Sequence, residues 1–471
     1  MTTELPDTIE SSAPPLRLKC EPVLPRDPFP LQDESFAIPQ RGSVPASGHR
    51  QHSAEELHAA FREPIRRTSP SSAYRSAAFG VAILMLLLPC VYVALTAVSA
   101  WWVYHYTAHL LPSLLTASRN IGMMAVVLTP TVAGSVIVLF MLKPLVAPRG
   151  RRMHPIKLLP QAEPRLHSFI EKLCAIIGAP LPSRIEVDCN VNASASLSGG
   201  LRGFFTGKMT LTIGLPLVSG LNLREFTGVL AHEFGHFTQG GAMRVAYIIR
   251  SVNAWFYRVV YERDRLDELL VGSMFTGVGV LSMVGVFANI AVWFSRLILK
   301  ALMYLGHAVS SYLLRQMEYD ADACEARVVG CETYEATTRR IAVLARTADD
   351  LRNDVMSQWR ENLHLPDDFP ALFERRLANL PHAQRERYES DLLAEKLSWA
   401  DSHPTAVQRI AAVQRTAEPG VFTLPGAALE IFDNFGPLSQ AVSVAHYEDD
   451  LDLLVNPNLL DPVSQMMGTR C

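Results

Sequence analysis

Charge is scarce in this chain. Asp, Glu, Lys and Arg make up 19% of its 471 residues, and the formal net charge is −3. There is no positive excess to hold a polyanion, so no nucleic-acid partner is expected. Cysteine is scarce too. The seven cysteines (Cys20, Cys90, Cys174, Cys189, Cys324, Cys331 and Cys471) are scattered, with no CxxC pair. That argues against a disulfide scaffold and leaves no cysteine zinc site. The first 70 residues lack any apolar run, so no cleavable signal peptide is expected. They hold eleven of the thirty-one prolines. Pro14-Pro15 and the run Pro22, Pro25, Pro28, Pro30 cannot sustain helix or sheet, so residues 1–74 are expected to form a disordered tail.

Apolar residues make up 49% of the chain, and they are concentrated. Between Arg75 and Arg119 no charged residue occurs, and Ala77 to Tyr104 is apolar almost throughout. That exceeds the roughly 20 residues needed to cross a bilayer. Trp101, Trp102, Tyr104 and Tyr106 gather at its end, as aromatic residues do at a membrane interface. A second run covers Ile121 to Leu142. The two predict a transmembrane hairpin over 75–143. Arg62, Arg66, Arg67 and Arg75 precede it, and Lys143, Arg149, Arg151, Arg152 and Lys157 follow it. The loop between carries only Arg119. Positive flanks stay in the cytoplasm, so the tail and everything beyond Lys143 should face the cytosol.

Residues 150–265 read as globular. A helix is predicted near Glu163–Ile177, and strands at Arg184–Asp188 and Met209–Ile213. A further helix begins at Asn222, which can cap it with Glu225 at the capping-box position. A third apolar run covers Val271 to Ser295, and a weaker fourth, about Ala301 to Leu314, follows Arg296 and Lys300. Residues 268–315 are therefore expected to insert into the membrane, as a second hairpin or as a segment that enters without crossing. Residues 316–420 complete the globular part, and 421–471 form a C-terminal extension.

The chemistry is concentrated in Leu230-Ala231-His232-Glu233-Phe234-Gly235-His236-Phe237, an H-E-x-x-H pattern. On a helix His232 and His236 lie one turn apart on one face and can grip one zinc ion. Glu233, beside them, can reach a water on the metal as a general base. A catalytic zinc needs a third protein ligand. Glu318 and Asp322, spaced i, i+4, share a helix face. One can bind the metal, and the other can accept a hydrogen bond from a ligand imidazole. For Glu318 to meet the histidines, the chain must cross the membrane an even number of times between them.

The HEFGH helix, the later Glu318-Tyr319-Asp320-Ala321-Asp322-Ala323 helix, and the apolar segments before and between them resemble HtpX-type membrane metallopeptidases. They are also similar to the zinc-dependent CAAX prenyl proteases. The resemblance covers about 75–415. It implies a mainly α membrane protein with an α+β zincin-like catalytic domain, a small sheet with a substrate-binding edge strand, and two transmembrane hairpins. It also implies one Zn2+ per chain on His232, His236 and Glu318, with Asp322 behind them. Asn192-Ala193-Ser194-Ala195 resembles the family's edge strand, and Ser402-His403-Pro404 with Arg409 its oxyanion-stabilising segment. The implied activity is zinc-dependent endopeptidase action on membrane-associated or misfolded polypeptides, in quality control at the cell membrane (the inner one, in a bacterium). Processing of lipidated C-termini and a catalytically silent membrane scaffold are the alternatives.

Overall fold

The computed structural model describes residues 51–463, except 63–64, 66–70, 119, 147–154, 199–205, 239–240, 262–279, 398–402, 452 and 454. Part of the expected tail is ordered. Helix α1 (Ala54–Ala59) starts at Ser53, whose side chain and Glu56 form a reciprocal capping box. Leu57 is fully buried in the main core, and Phe61 bridges to Phe422 while the Arg62 N–H donates to the Val421 carbonyl at 3.0 Å. Proline-rich composition hid this short segment, which two apolar anchors, Leu57 and Phe61, tie to the core.

Helix α2 (Ser72–His105) is capped by Ser71 and continues through a π-helical turn, Tyr106–Leu110, into α3 (Leu111–Ala117). Helix α4 (Ile121–Val146) packs against it. A Cβ on Gly134 would come within 2.5 Å of Val103 Cγ2, so glycine permits the close approach. Tyr106 Oη donates to the Val127 carbonyl and Tyr92 Oη to that of Met141, tying the two helices together. Both are long and apolar enough to cross a membrane, as is Trp293–Val329.

The globular part begins with β1 (Ile156–Leu158), α5 (Pro164–Ile177), β2 (Arg184–Asp188), β3 (Ala193–Leu197) and β4 (Met209–Gly214). The sheet order is β1-β2-β4-β3, with β2 parallel to β4 and the other pairs antiparallel. Strand β3 is thus an edge. The Asn192 carbonyl and the Ser198 N–H are spent on the β4 side, at Gly214 and Lys208. By alternation the backbone groups of Ala193, Ala195 and Leu197 face outward.

Two helices follow, α6 (Leu215–Gly220) and α7 (Leu223–Thr238). The predicted cap of α7 is present: Glu225 N–H donates to Asn222 Oδ1 at 2.8 Å, and Asn222 N–H to Glu225 Oε2 at 2.9 Å. Then comes α8 (Gly241–Tyr261), and after it α9 (Val280–Val329). Here the structure corrects the expected second hairpin. From Val280 onward the third run, the fourth run and Glu318–Ala323 form one helix of 50 residues. No proline lies in it to break the hydrogen-bond ladder, and it stops only at Gly330, whose φ is +88°. Residues 271–279 of the third run lie outside the described residues. Helix α8 packs with α2 and α9 around Met85, Tyr92, Ile249, Phe256 and Met303.

The chain continues with α10 (Cys331–Asn362), β5 (Leu365–Pro366), α11 (Phe369–Ala378), α12 (His382–Leu393), α13 (Ala406–Gln414), α14 (Phe435–Asp449) and β6 (Leu460–Asp461). Strand β6 pairs with β5, and Phe422, Ile431, Phe432 and Tyr447 are buried in the same core as α5 and α7. The expected boundary at 420 does not separate two bodies.

Candidate metal centre

The site forms where α7 meets the C-terminal half of α9. Small residues make that meeting possible. Gly228, Ala231 and Gly235 recur at three- and four-residue spacing on α7. A Cβ on Gly235 would lie 2.9 Å from Cys324 Cβ and 3.2 Å from Ala321 Cα. The close contact brings Glu318 over the two histidines. His232 Nε2 lies 3.5 Å from Glu318 Oε2, and His236 Nε2 lies 3.8 Å from Glu318 Oε1. Four-coordinate zinc with bonds of about 2.1 Å has ligand atoms roughly 3.4 Å apart. The three residues therefore fit a zinc ion, and their ligand atoms all lie within 4.8 Å of one another.

The surroundings act on the two imidazoles in opposite directions. Burial works against a protonated imidazole at both positions. At His236 burial prevails, with His232 adding to it, and the pKa falls to about 3. At His232 the carboxylates of Asp322 and Glu318 outweigh burial and raise it to about 10. Asp322 is fully buried and faces His232 Nδ1 at 3.1 Å, leaving Nε2 toward Glu318. Arg409 holds Asp322 from behind with two hydrogen bonds, 2.9 Å from Nε and 2.5 Å from Nη2. A second grouping, His232 with Asp322 and Glu325, is also close enough for a metal. It uses only Nδ1 of one histidine, whereas the first employs both imidazoles and leaves Nδ1 of His232 to a carboxylate, the usual arrangement of a metal-bound histidine.

Glu233 points toward the edge strand. Its Oε2 accepts a hydrogen bond from the outward Ala195 N–H at 3.1 Å. Burial raises its pKa above the ordinary carboxylate value, partly offset by His232. Of the segment Asn192–Ala195, Asn192 and Ala193 line the same cavity as His232 and Glu233, and Ser194 faces β4. His403 is largely exposed, with Nδ1 3.4 Å from Glu318 Oε1. Ser402 lies outside the described residues.

Three residues at the site escaped the sequence reading. Arg250, on α8, donates from Nη2 to Glu318 Oε1 at 3.2 Å. Arg250 is exposed on α8, so nothing in the sequence around it marked it out. Glu325 is buried with Oε2 3.7 Å from His232 Nδ1. It sits seven residues after Glu318 and three after Asp322, so the face was legible. Tyr334, buried beside them, comes from the next helix and had no local signal.

Comparison with known families matches residues 160–417 to Peptidase family M48, more than half of the chain. No solved structure matches it. The match includes α7, the end of α9 that carries Glu318 and Asp322, and Arg409, and stops short of the α2/α4 pair. Three helices apolar enough to span a membrane accompany it among the described residues. This chain is a membrane protein carrying a peptidase domain, and it belongs to peptidase family M48.

Proposed function

We propose that the protein is a membrane-bound zinc endopeptidase with His232, His236 and Glu318 as the metal ligands and Glu233 as general base. The observation that carries this reading is the convergence of three ligand side chains from two helices, with Glu233 between them and an open strand edge. Zinc, when bound, supplies Lewis acidity for peptide-bond hydrolysis.

The chain's own groups do the rest. A substrate strand pairs with the outward backbone of β3, which reads main chain rather than side chain. The Glu233 carboxylate, beside the Ala195 N–H, takes a proton from the attacking water and delivers it to the leaving amine. Its raised pKa suits both halves of that task. His403 reaches the site from an exposed position and donates to the carbonyl oxygen as negative charge develops. Arg409, with its fork on Asp322, acts through that carboxylate to hold the His232 ring.

The HtpX-type pattern, with the cationic flanks Arg62, Arg75 and Lys143 on the inner side, favours a cytosol-facing site that removes damaged membrane proteins. Residues 51–62 and β1 flank the α2/α4 pair and both join the peptidase core, which fits an even number of crossings.

The experiment is zinc content beside activity. Purified protein should hold about one zinc per chain, and Glu318→Ala should lose it. Metal-free wild type after purification with zinc would favour a silent scaffold. Zinc unaffected by Glu318→Ala would mean that another group is the third ligand.

A further inference from the structure

The uncharged stretch between Arg75 and Arg119 holds two histidines, His105 and His109, that no step above has used. Titratable side chains within an apolar span are costly, and where they occur they point to a function. The two lie about 20 Å beyond Tyr92 toward the far end of α2. His105 is the last residue of that helix, and His109 sits in the π-helical turn Tyr106–Leu110 that follows. Turns of that kind are rare and gather at functional positions. Tyr106 and Thr107 anchor this one to α4, at the Val127 carbonyl and at Thr131 Oγ1, so its shape is held. The two imidazole centroids are 4.9 Å apart, almost the 5.0 Å that separates His232 from His236. The Trp101 ring stacks on His105 at 5.2 Å and 12°, and Tyr104 meets His109 edge-on at 6.4 Å. His105 is half-buried and His109 exposed. Among the described residues no hydrogen bond and no carboxylate holds either imidazole.

We propose that His105 and His109 form a binding site for a late first-row divalent cation, Cu2+ above Ni2+ and Zn2+. The proposal is independent of the peptidase reading. Two imidazoles held one turn apart act as a chelate, because the second binds as a tethered neighbour of the first. Neutral imidazole suits copper, nickel and zinc, whereas Mg2+ and Ca2+ require oxygen ligands that the pair does not offer. At one nitrogen site the order of affinity peaks at Cu2+. Stacking alone does not account for these residues, since phenylalanine would stack without ring nitrogens to desolvate. The aromatic neighbours Trp101, Trp102 and Tyr104 are of the kind that mark a membrane–water boundary, where a hydrated cation has access. Two protein ligands leave the other coordination positions to water. The cation therefore exchanges with the medium, unlike one held by three side chains. The Trp101 indole, stacked on a ligand ring, lies beside the bound ion and reports it, because Cu2+ quenches a neighbouring indole.

The test titrates CuCl2 into full-length protein in detergent, after incubation with zinc. Tryptophan fluorescence follows binding, and electron paramagnetic resonance identifies nitrogen ligands on the copper. Wild type should show a tight phase with imidazole nitrogen coordination and quenched fluorescence. His105→Ala and His109→Ala should each weaken that phase by about 100-fold or more, since each leaves a single ligand without its tethered neighbour. Trp101→Phe should keep the affinity and lose part of the quenching. Ni2+ and Zn2+ should compete weakly and Mg2+ not at all. Helix content by circular dichroism checks the fold of each variant, and both histidines lie where alanine disturbs no packed core. Equal affinity in the histidine variants, undiminished quenching in Trp101→Phe, or competition by Mg2+ would overturn the site. Copper binding that Glu318→Ala removes and His105→Ala spares would place the ion at the α7/α9 contact and overturn it as well.

Discussion

The α2/α4 pair and the α7/α9 contact are built on opposite plans. On α2 and α4 large apolar side chains face outward: Trp102 is 58% exposed, Phe79 62% and Val126 71%. Where α7 meets α9 the interior is polar: Glu318, Asp322 and Glu325 are all buried, within reach of His232. Each region inverts the ordinary rule of apolar inside and charged outside. The inversion shows what each one is made for. The first is completed by lipid, which removes exposed apolar surface from water. On the proposed reading the second is completed by a cation, which joins Arg250 and Arg409 in neutralising the buried carboxylates.

The comparison can be broken most sharply at Glu233. Glu233→Gln keeps the ligands but removes the base. Peptide cleavage should fall by about 10²- to 10⁴-fold with zinc content unchanged. Parallel loss of zinc would show that Glu233 holds the metal rather than the proton. Asp322→Asn comes next. It weakens the hold on His232 and leaves Arg409 without its carboxylate, so zinc affinity by chelator competition should drop about 10- to 100-fold. An unchanged affinity would mean that Asp322 serves packing alone. Arg250→Ala should have a smaller effect, up to about 10-fold on zinc affinity, and Arg250→Lys should restore part of it. At the other pole stands Val126→Arg. On an outward face of α4 it should disfavour membrane insertion by about 2.5 to 3.5 kcal/mol while leaving zinc stoichiometry intact in the protein that does insert. Alkaline extraction of membranes reports the first quantity and metal analysis the second. If the arginine lowered zinc content as well, the two regions would not be separable.

The two poles also differed in how far they could be read in advance. The histidines were legible because one helical turn fixes their relation, whatever surrounds them. Glu318 and Asp322 shared a face by the same rule, but which one meets the metal depended on the family resemblance. The structure supplies a physical reason to separate them: Glu318 faces both Nε2 atoms, and Asp322 faces Nδ1 of His232. Both apolar runs of the first hairpin stood out by length. Helix α8 did not, because Arg244, Arg250 and Arg258 interrupt its apolar residues. The continuity of α9 was hidden for a related reason. Arg296 and Lys300 suggested a break, yet Ser295 and Leu299 beside them are buried, so the cations share a turn with the packed face. The segment 51–62 and the stretch after 420 were illegible because their anchors, Leu57, Phe61 and Phe422, follow no helical or strand period and meet partners far along the chain, as Phe61 meets Phe169 and Phe422.

Helix α9 has a mechanical consequence. At 1.5 Å per residue its 50 residues make a rod of about 75 Å, with its apolar stretch at one end and Glu318 toward the other. A tilt imposed by a bilayer thicker or thinner than the apolar stretch is carried along the rod as a lever carries a load. Small displacements then arrive at the carboxylate that must meet two imidazoles on a different helix. If the proposed zinc site is correct, bilayer thickness becomes one of its variables, and zinc affinity measured in vesicles of short- and long-chain lipids should differ while detergent values stay constant. Equal affinities in both vesicles would mean that the α7/α9 contact absorbs the strain before it reaches the metal.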